Sequence, residues 1–157
     1  MKEILTKTEP PQKPFQLAKK ILIMPTSIVK YTGNKNTQAI HVKSGTVIET
    51  DAPPDNNGKG EKFSPTDLLA TSLASCMITI MSIIAERENI PLEAEAEVTK
   101  IMADNPRRVS EIHIDLKLKK FNYTARQIKM IENAAYTCPV AKSLHPDIRQ
   151  KINIRWY

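Results

Sequence analysis

The chain holds two cysteines, and their surroundings would give the two sulfurs different chemistry. Cys76 lies within a nearly uninterrupted apolar run, whereas Cys138 opens the segment CPVAKS at 138–143. Two such cysteines could form a redox couple. They could equally be buried thiols that pack as small hydrophobic side chains.

The local contexts predict that the two thiols differ in reactivity. Cys76 lies about three turns inside its predicted helix, where the helix dipole has faded, so its thiolate needs a charged partner from another segment or subunit. Pro139 suits the first position of a helix, which makes Cys138 its N-cap, next to unpaired N–H groups that favour a thiolate. By local context alone, Cys138 is the better nucleophile or leaving group.

No metal or cofactor site is expected from the spacing of the potential ligands. His113 and His145 are the nearest available histidines, but no pair of ligands stands at the spacing typical of zinc sites. His113 belongs to a polar strand face and His145 precedes Pro146, so a solvated residue and a turn residue are the simpler interpretations.

The composition is that of a soluble globular protein of 157 residues, with 41% hydrophobic and 25% charged residues. The net charge of +6 comes from 23 basic and 17 acidic residues that are spread along the chain, and aromatic residues make up 5%. Without a basic block or an aromatic platform, we expect no nucleic-acid binding.

The N-terminal segment predicts a tail and no secretory signal. Residues 1–16 carry prolines at 10, 11 and 14 among charged residues, so we expect a tail followed by a single domain at 17–157. We expect a cytoplasmic location, where a permanent structural disulfide is rare.

A long apolar helix is predicted after a loop at 51–61. Ser64, Pro65 and Asp67 form a helix start with a capping box, and no charged residue occurs from 68 to 85. Five hydroxyl residues and charged flanks favour a buried helix over a membrane span. A stripe of small residues along it would let another helix approach closely, so an intertwined dimer is plausible.

The remaining pattern predicts a segregated α+β fold. Strands are expected at 27–31, 38–43 and 46–50 before the long helix. Two more, at 92–103 and 109–121, should form a hairpin around 104–106, with one dry face and acids opposite lysines on the other. An amphipathic helix at 124–136, a short helix that ends at Leu144 and a strand at 152–156 complete the order.

Two segments together resemble a known family. FSPTDLLA at 63–70 with ASC at 74–76, and TCPVAKSL at 137–144, are similar to the two cysteine motifs of the osmotically inducible protein C / organic hydroperoxide resistance (OsmC/Ohr) family. Their order and the intervening hairpin agree, and the resemblance covers residues 26–157.

The resemblance implies an OsmC-like fold, an intertwined homodimer and thiol-peroxidase chemistry at the subunit interface. Cys76 would be the peroxidatic residue, oxidised by an organic hydroperoxide to a sulfenic acid, and Cys138 the resolving residue that forms a disulfide with it. A thiol reductant, in the family often a dihydrolipoyl group, would complete the cycle, with neither nucleic acid nor membrane as a partner.

Two positions depart from the family pattern. Thr66 stands where family peroxidases usually carry a Glu, ten residues before the first cysteine, and no Arg precedes Arg87 to hold the thiolate. Lys35 and Asp67 are the candidate charge partners, although Lys lacks the bidentate fork of Arg. The alternative hypothesis is a weakly active or non-catalytic protein on the same scaffold that binds a small apolar ligand in the interface pocket.

Overall fold

A computed structural model describes residues 24–157, and the predicted tail at 1–16 lies outside the described residues. The elements are β1 (Ser27–Gly33), β2 (Asn36–His41), β3 (Val47–Thr50), α1 (Pro65–Arg87), β4 (Ala94–Asp104), β5 (Arg107–Leu118), α2 (Ala125–Tyr136), α3 (Pro139–Ser143) and β6 (Arg149–Trp156). The predicted α+β class and the order of its elements are confirmed.

The first three strands form a small antiparallel sheet in the order β1-β2-β3. β2 ends at His41, two residues before the predicted end, because the chain turns there. The Gly45 N–H donates to the His41 carbonyl at 2.8 Å, and Gly45 has a φ of 73°, which glycine adopts without strain. Large apolar side chains of this sheet stay exposed, among them Ile28, Val29, Tyr31, Val47 and Ile48.

The second sheet has the order β4-β5-β6. β4 and β5 form the predicted antiparallel hairpin, and β6 runs parallel to β5 with Ile152 opposite Ile114. The inner row of β5 is fully or almost fully buried: Ile112, Ile114, Leu116 and Leu118. On the outer face Lys119 pairs with Glu93 at 2.9 Å and Lys117 pairs with Glu97, as the alternation predicts.

Helix α1 begins with the predicted capping box, in which the Ser64 hydroxyl accepts from the Asp67 N–H and the Asp67 carboxylate accepts from the Ser64 N–H. By length and composition alone it could span a membrane, with a mean hydropathy of 2.1 over 18 residues, of which 33% are buried. We expected a buried central helix, but this single chain covers one face only. The buried side chains are Ala70, Leu73, Ala74, Met77, Met81 and Ala85.

Helix α2 covers part of α1 and leads into the short helix α3. Thr124 and Gln127 form the capping box of α2, and its residues Ile131, Ala134 and Ala135 face the core. Because only two residues lie between α2 and α3, the packing of α2 on α1 fixes where the second cysteine motif can lie.

Candidate active site

Cys76 lies in the middle of α1, in the turn that follows the buried Leu73 and Ala74. Its side chain is half-buried and packs against the hydrophobic core, and its thiol is free. The helix thus holds a cysteine at the boundary between the core and the uncovered face of α1, where a small molecule could reach it.

Cys138 is the N-cap of α3, as Pro139 at the first helical position predicts. Its sulfur accepts a hydrogen bond from the Ala141 N–H at 3.2 Å, and the residue is completely buried. This thiol is also free. The cap therefore fixes the direction in which the Cys138 sulfur points.

The fold brings the two thiols together although 62 positions (138 minus 76) separate them. Both cysteines belong to one apolar cluster at the contact of α1 with α3. The Cys76 thiol lies close enough to raise the pKa of the Cys138 thiol. Both thiols are free, and they lie in the same part of the core.

The structure corrects the expectation, drawn from local context, that Cys138 is the better nucleophile. Burial raises the pKa of the Cys138 thiol, and the hydrogen bond from the Ala141 amide only partly offsets this, since the neighbouring Cys76 raises the pKa further. The N-cap is present, but the desolvation of a fully buried sulfur outweighs it. Cys76, which is partly exposed and lies near this thiol, is the more accessible residue.

Asp67 does not approach Cys76 within one chain. Nine residues of helix separate them, which corresponds to about 13 Å along the axis at about 1.5 Å per residue. The Asp67 carboxylate instead accepts from Ser64 and pairs with Lys100 at 2.7 Å. Burial raises the pKa of Asp67, but the hydrogen bonds from Lys100 and Ser64 outweigh it and hold that pKa below its usual range.

Lys35 lies at the exposed turn between β1 and β2, with a φ of 63°. Over the part of the chain that the structure describes, no ion pair involves it. Its assignment as a charge partner of Cys76 therefore stays a prediction.

Lys100 is a charged residue of this region that sequence reasoning missed. Its ammonium contacts the Ser64 hydroxyl at 2.8 Å, the Thr66 hydroxyl at 2.7 Å and the Asp67 carboxylate at 2.7 Å. The sequence does contain a signal for Lys100, since this residue continues the inward row of β4 after Ala96 and Val98. A lysine in a dry row needs an acidic partner, and the helix start supplies one.

Two cavities line the uncovered face of α1 and share Thr71 and Val98. The larger, of about 770 Å³, lies at the start of the helix beside Phe63 and Lys100. The smaller, of about 350 Å³, is lined by Ser75 and Ile78 of the helix, and neither cavity is lined by Cys76 or Cys138. The described residues 24–157 contain no cluster of three or more potential metal ligands.

The site geometry agrees with a match to a protein family. The model of the family described as OsmC-like protein matches residues 58–153, which include both cysteines. The chain belongs to the OsmC-like family. No curated protein sequence matches it.

Solved structures of family members superpose on the whole domain. A proposed osmotic stress induced and detoxification response protein from Psychrobacter arcticus is 54% identical, covers 87% of this chain and 99% of its own, and has a TM-score of 0.80. An OsmC-like protein from Mycoplasma pneumoniae is 20% identical over 83% of this chain and 94% of its own, with a TM-score of 0.67. An organic hydroperoxide resistance protein from Bacillus subtilis is 18% identical over 83% and 98%, with a TM-score of 0.55. At the last two identities the likeness concerns the fold alone.

Proposed function

We propose that this OsmC-like protein is a thiol peroxidase that reduces organic hydroperoxides. The observation that carries the proposal is the pairing of an accessible thiol, Cys76, with a buried thiol, Cys138, in one apolar cluster. The family match and the named relatives in stress response and hydroperoxide resistance support it.

In the first step the Cys76 thiolate attacks one peroxide oxygen. The O–O bond breaks, Cys76 becomes a sulfenic acid, and the other oxygen leaves as an alcohol after it takes up the proton that the Cys76 thiol lost. In the second step the Cys138 thiolate attacks the Cys76 sulfur. The S–S bond forms, the S–O bond breaks, and the departing hydroxide leaves as water with the proton that Cys138 lost. A dithiol such as a dihydrolipoyl group then reduces the disulfide and is itself oxidised.

The surroundings of Cys76 favour peroxides with an organic group over small polar ones. The Cys76 side chain packs against the apolar core cluster, to which Met77 and Cys138 also belong. An alkyl or aryl group would release water from these surfaces when it binds, which hydrogen peroxide cannot do.

We further propose that the working form is a homodimer in which a second copy covers α1. Along the uncovered face the hydroxyls of Ser72, Thr79 and Ser82 already donate to carbonyls of their own helix, at 2.7 to 2.9 Å. These three hydroxyls therefore need no partner from a second chain when the face is buried. The exposed β1-β2-β3 sheet needs cover too, and a two-fold dimer can bury both surfaces at once.

The dimer is tested by a charge on the uncovered face of α1. Ser75→Glu should shift the protein to a monomer in sedimentation experiments, because an unpaired carboxylate would be buried in the interface. Thr99→Glu, on the outer face of β4, is the matched control and should leave the dimer intact. A wild-type monomer, or a Ser75→Glu dimer, would contradict the proposal.

Free thiols that must cycle through a disulfide require a reducing compartment, so we place the protein in the cytoplasm. This placement is part of the same proposal, since the reductant of the cycle has to be regenerated there.

A second candidate function is the binding of a small apolar ligand without catalysis. The cavity of about 770 Å³ favours it, since a ligand could lie there against Phe63 and Val98 while Lys100 stays engaged with Asp67 and the capping hydroxyls. Under this function both thiols would stay reduced with stoichiometric cumene hydroperoxide while an apolar ligand still bound.

Steady-state peroxide consumption separates the two functions. With an excess of dihydrolipoamide, the wild-type protein should consume many equivalents of cumene hydroperoxide and far less hydrogen peroxide. Consumption that stops below one equivalent, or equal rates with both peroxides, would contradict the proposed substrate class.

A further inference from the structure

Gln150 is the polar residue in an otherwise apolar row of β6. The side chains of this row face the helices, and the residues after Gln150 are Ile152, Ile154 and Trp156. Its register partner on β5 is the fully buried Ile112. An amide at such a position needs a hydrogen-bond partner, or its desolvation would cost stability.

The partner is a backbone carbonyl in the last turn of α3. The Gln150 side-chain N–H donates to the Ala141 carbonyl at 3.0 Å. In a helix of five residues the C-terminal carbonyls have no partner further along the helix, so Gln150 satisfies a group that would otherwise be left unpaired. Between residues 24 and 157 this is the one hydrogen bond that joins α3 to the sheet.

The backbone amide of Ala141 contacts the buried Cys138 thiol. The Ala141 N–H donates to the Cys138 sulfur at 3.2 Å. Ala141 is therefore fixed at its carbonyl by Gln150 and fixes the Cys138 sulfur with its amide. Two hydrogen bonds therefore connect β6 of the second sheet to the Cys138 sulfur.

The residues before and after Gln150 in β6 both form ion pairs with β5. Arg149 and Lys151 pair with Glu111 of β5 at 3.0 and 2.7 Å. Gln150 thus projects from a fixed point of the sheet, which is what a residue needs if it is to set the orientation of a short helix.

We propose that Gln150 is a positioning residue for Cys138, which keeps α3 in the orientation that aims this sulfur at Cys76. The inference rests on the proposed peroxidase function, because it assigns Gln150 to the disulfide-forming step. Sulfenic acid formation at Cys76 does not use the Cys138 sulfur, so the proposal assigns Gln150 no role in that step.

The test compares Gln150→Leu with Asn153→Leu. Asn153 is an amide on the same strand that donates to Asp115 at 2.7 Å on the outer face and does not touch α3, so it is the matched control. After rapid mixing with one equivalent of cumene hydroperoxide, sulfenic acid is trapped with a dimedone-type reagent and the disulfide is followed by mass spectrometry.

In Gln150→Leu the sulfenic acid should form at the wild-type rate, whereas the disulfide should form about tenfold more slowly, the factor that one net hydrogen bond can supply. Asn153→Leu should match the wild type in both steps. Equal disulfide rates in Gln150→Leu and the wild type, or an equal loss in both steps, would overturn the positioning role.

A second measurement does not depend on peroxide. Hydrogen exchange at the Ala141 amide should be about tenfold faster in Gln150→Leu than in Asn153→Leu, and equal exchange would overturn the inference. If the wild-type protein forms no sulfenic acid while Ala141 exchanges faster in Gln150→Leu, the proposed function fails but the positioning of Cys138 by Gln150 stands.

Discussion

The two cysteines of this protein have opposite local settings and opposite accessibility. Cys76 lies deep in a helix, away from helix termini, yet it stays partly exposed because one face of α1 is uncovered. Cys138 has a helix N-terminus at its sulfur, yet it is completely buried and its pKa is raised. The contrast shows that burial, a property of the whole fold, can outweigh a favourable helix end.

This contrast assigns the two steps of the proposed reaction. The accessible thiol can meet a substrate, whereas the buried one can meet only its neighbour. Four predictions test this division.

Replacement of the accessible sulfur should have the largest effect. In Cys76→Ser the consumption of cumene hydroperoxide should fall by at least about a thousandfold, because a hydroxyl is a far weaker nucleophile toward the O–O bond. A coupled assay with dihydrolipoamide measures the rate. Substantial activity in Cys76→Ser would show that the other thiol meets the substrate.

Loosening the apolar cluster that both cysteines share should have the next largest effect. Ile131→Ala on α2 removes a completely buried side chain and should lower the free energy of unfolding by about 2–5 kcal/mol in urea denaturation. Ile101→Ala on β4, where the side chain is 40% exposed, is the control and should cost much less. Equal losses in the two variants would mean that the cluster is not the centre of the fold.

Replacement of the buried sulfur should separate the two steps. Cys138→Ser should still form one equivalent of sulfenic acid at the wild-type rate, but sustained turnover should fall roughly 10–100-fold, because an external thiol must replace a pre-positioned one. Trapping with a dimedone-type reagent detects the persistent sulfenic acid. If turnover were unchanged, Cys138 would have no resolving role.

The raised pKa of Cys138 predicts the pH dependence of the second step. Below that pKa the thiolate fraction grows about tenfold per pH unit, so disulfide formation should accelerate by about this factor from neutral to mildly alkaline pH. The protonated thiol also contributes stability that is present below the ordinary thiol pKa and is lost as the pH rises through the raised one. Rapid-quench measurements at several pH values would detect the trend, and a flat profile would contradict it.

Much of the fold could be predicted from local signals. Ser64, Pro65 and Asp67 marked the start of α1, and the alternation along β4 and β5 marked a hairpin with one dry face. The ends of the strands were less predictable. β2 ends earlier than predicted because of the turn at Gly45, and β6 begins earlier than predicted, at Arg149, because it pairs with β5. The parallel direction of β6 depends on long-range packing and had no local signal.

The candidate site, like the fold, could be predicted from the sequence only in part. The two motifs identified both cysteines, but their proximity and the burial of Cys138 depend on how α3 docks against α1. Lys100 and Gln150 escaped notice because each is one polar residue in an apolar row, and its partner comes from another element. Such partners appear only once the elements are assembled.

The central claim is that the two sulfurs exchange electrons with an organic peroxide and with each other. Mass spectrometry of the wild-type protein before and after one equivalent of cumene hydroperoxide tests it most directly. The account predicts a chain lighter by two hydrogen atoms, with the peptides of Cys76 and Cys138 linked by a disulfide. An unchanged mass, with both thiols still open to alkylation after unfolding, would contradict it.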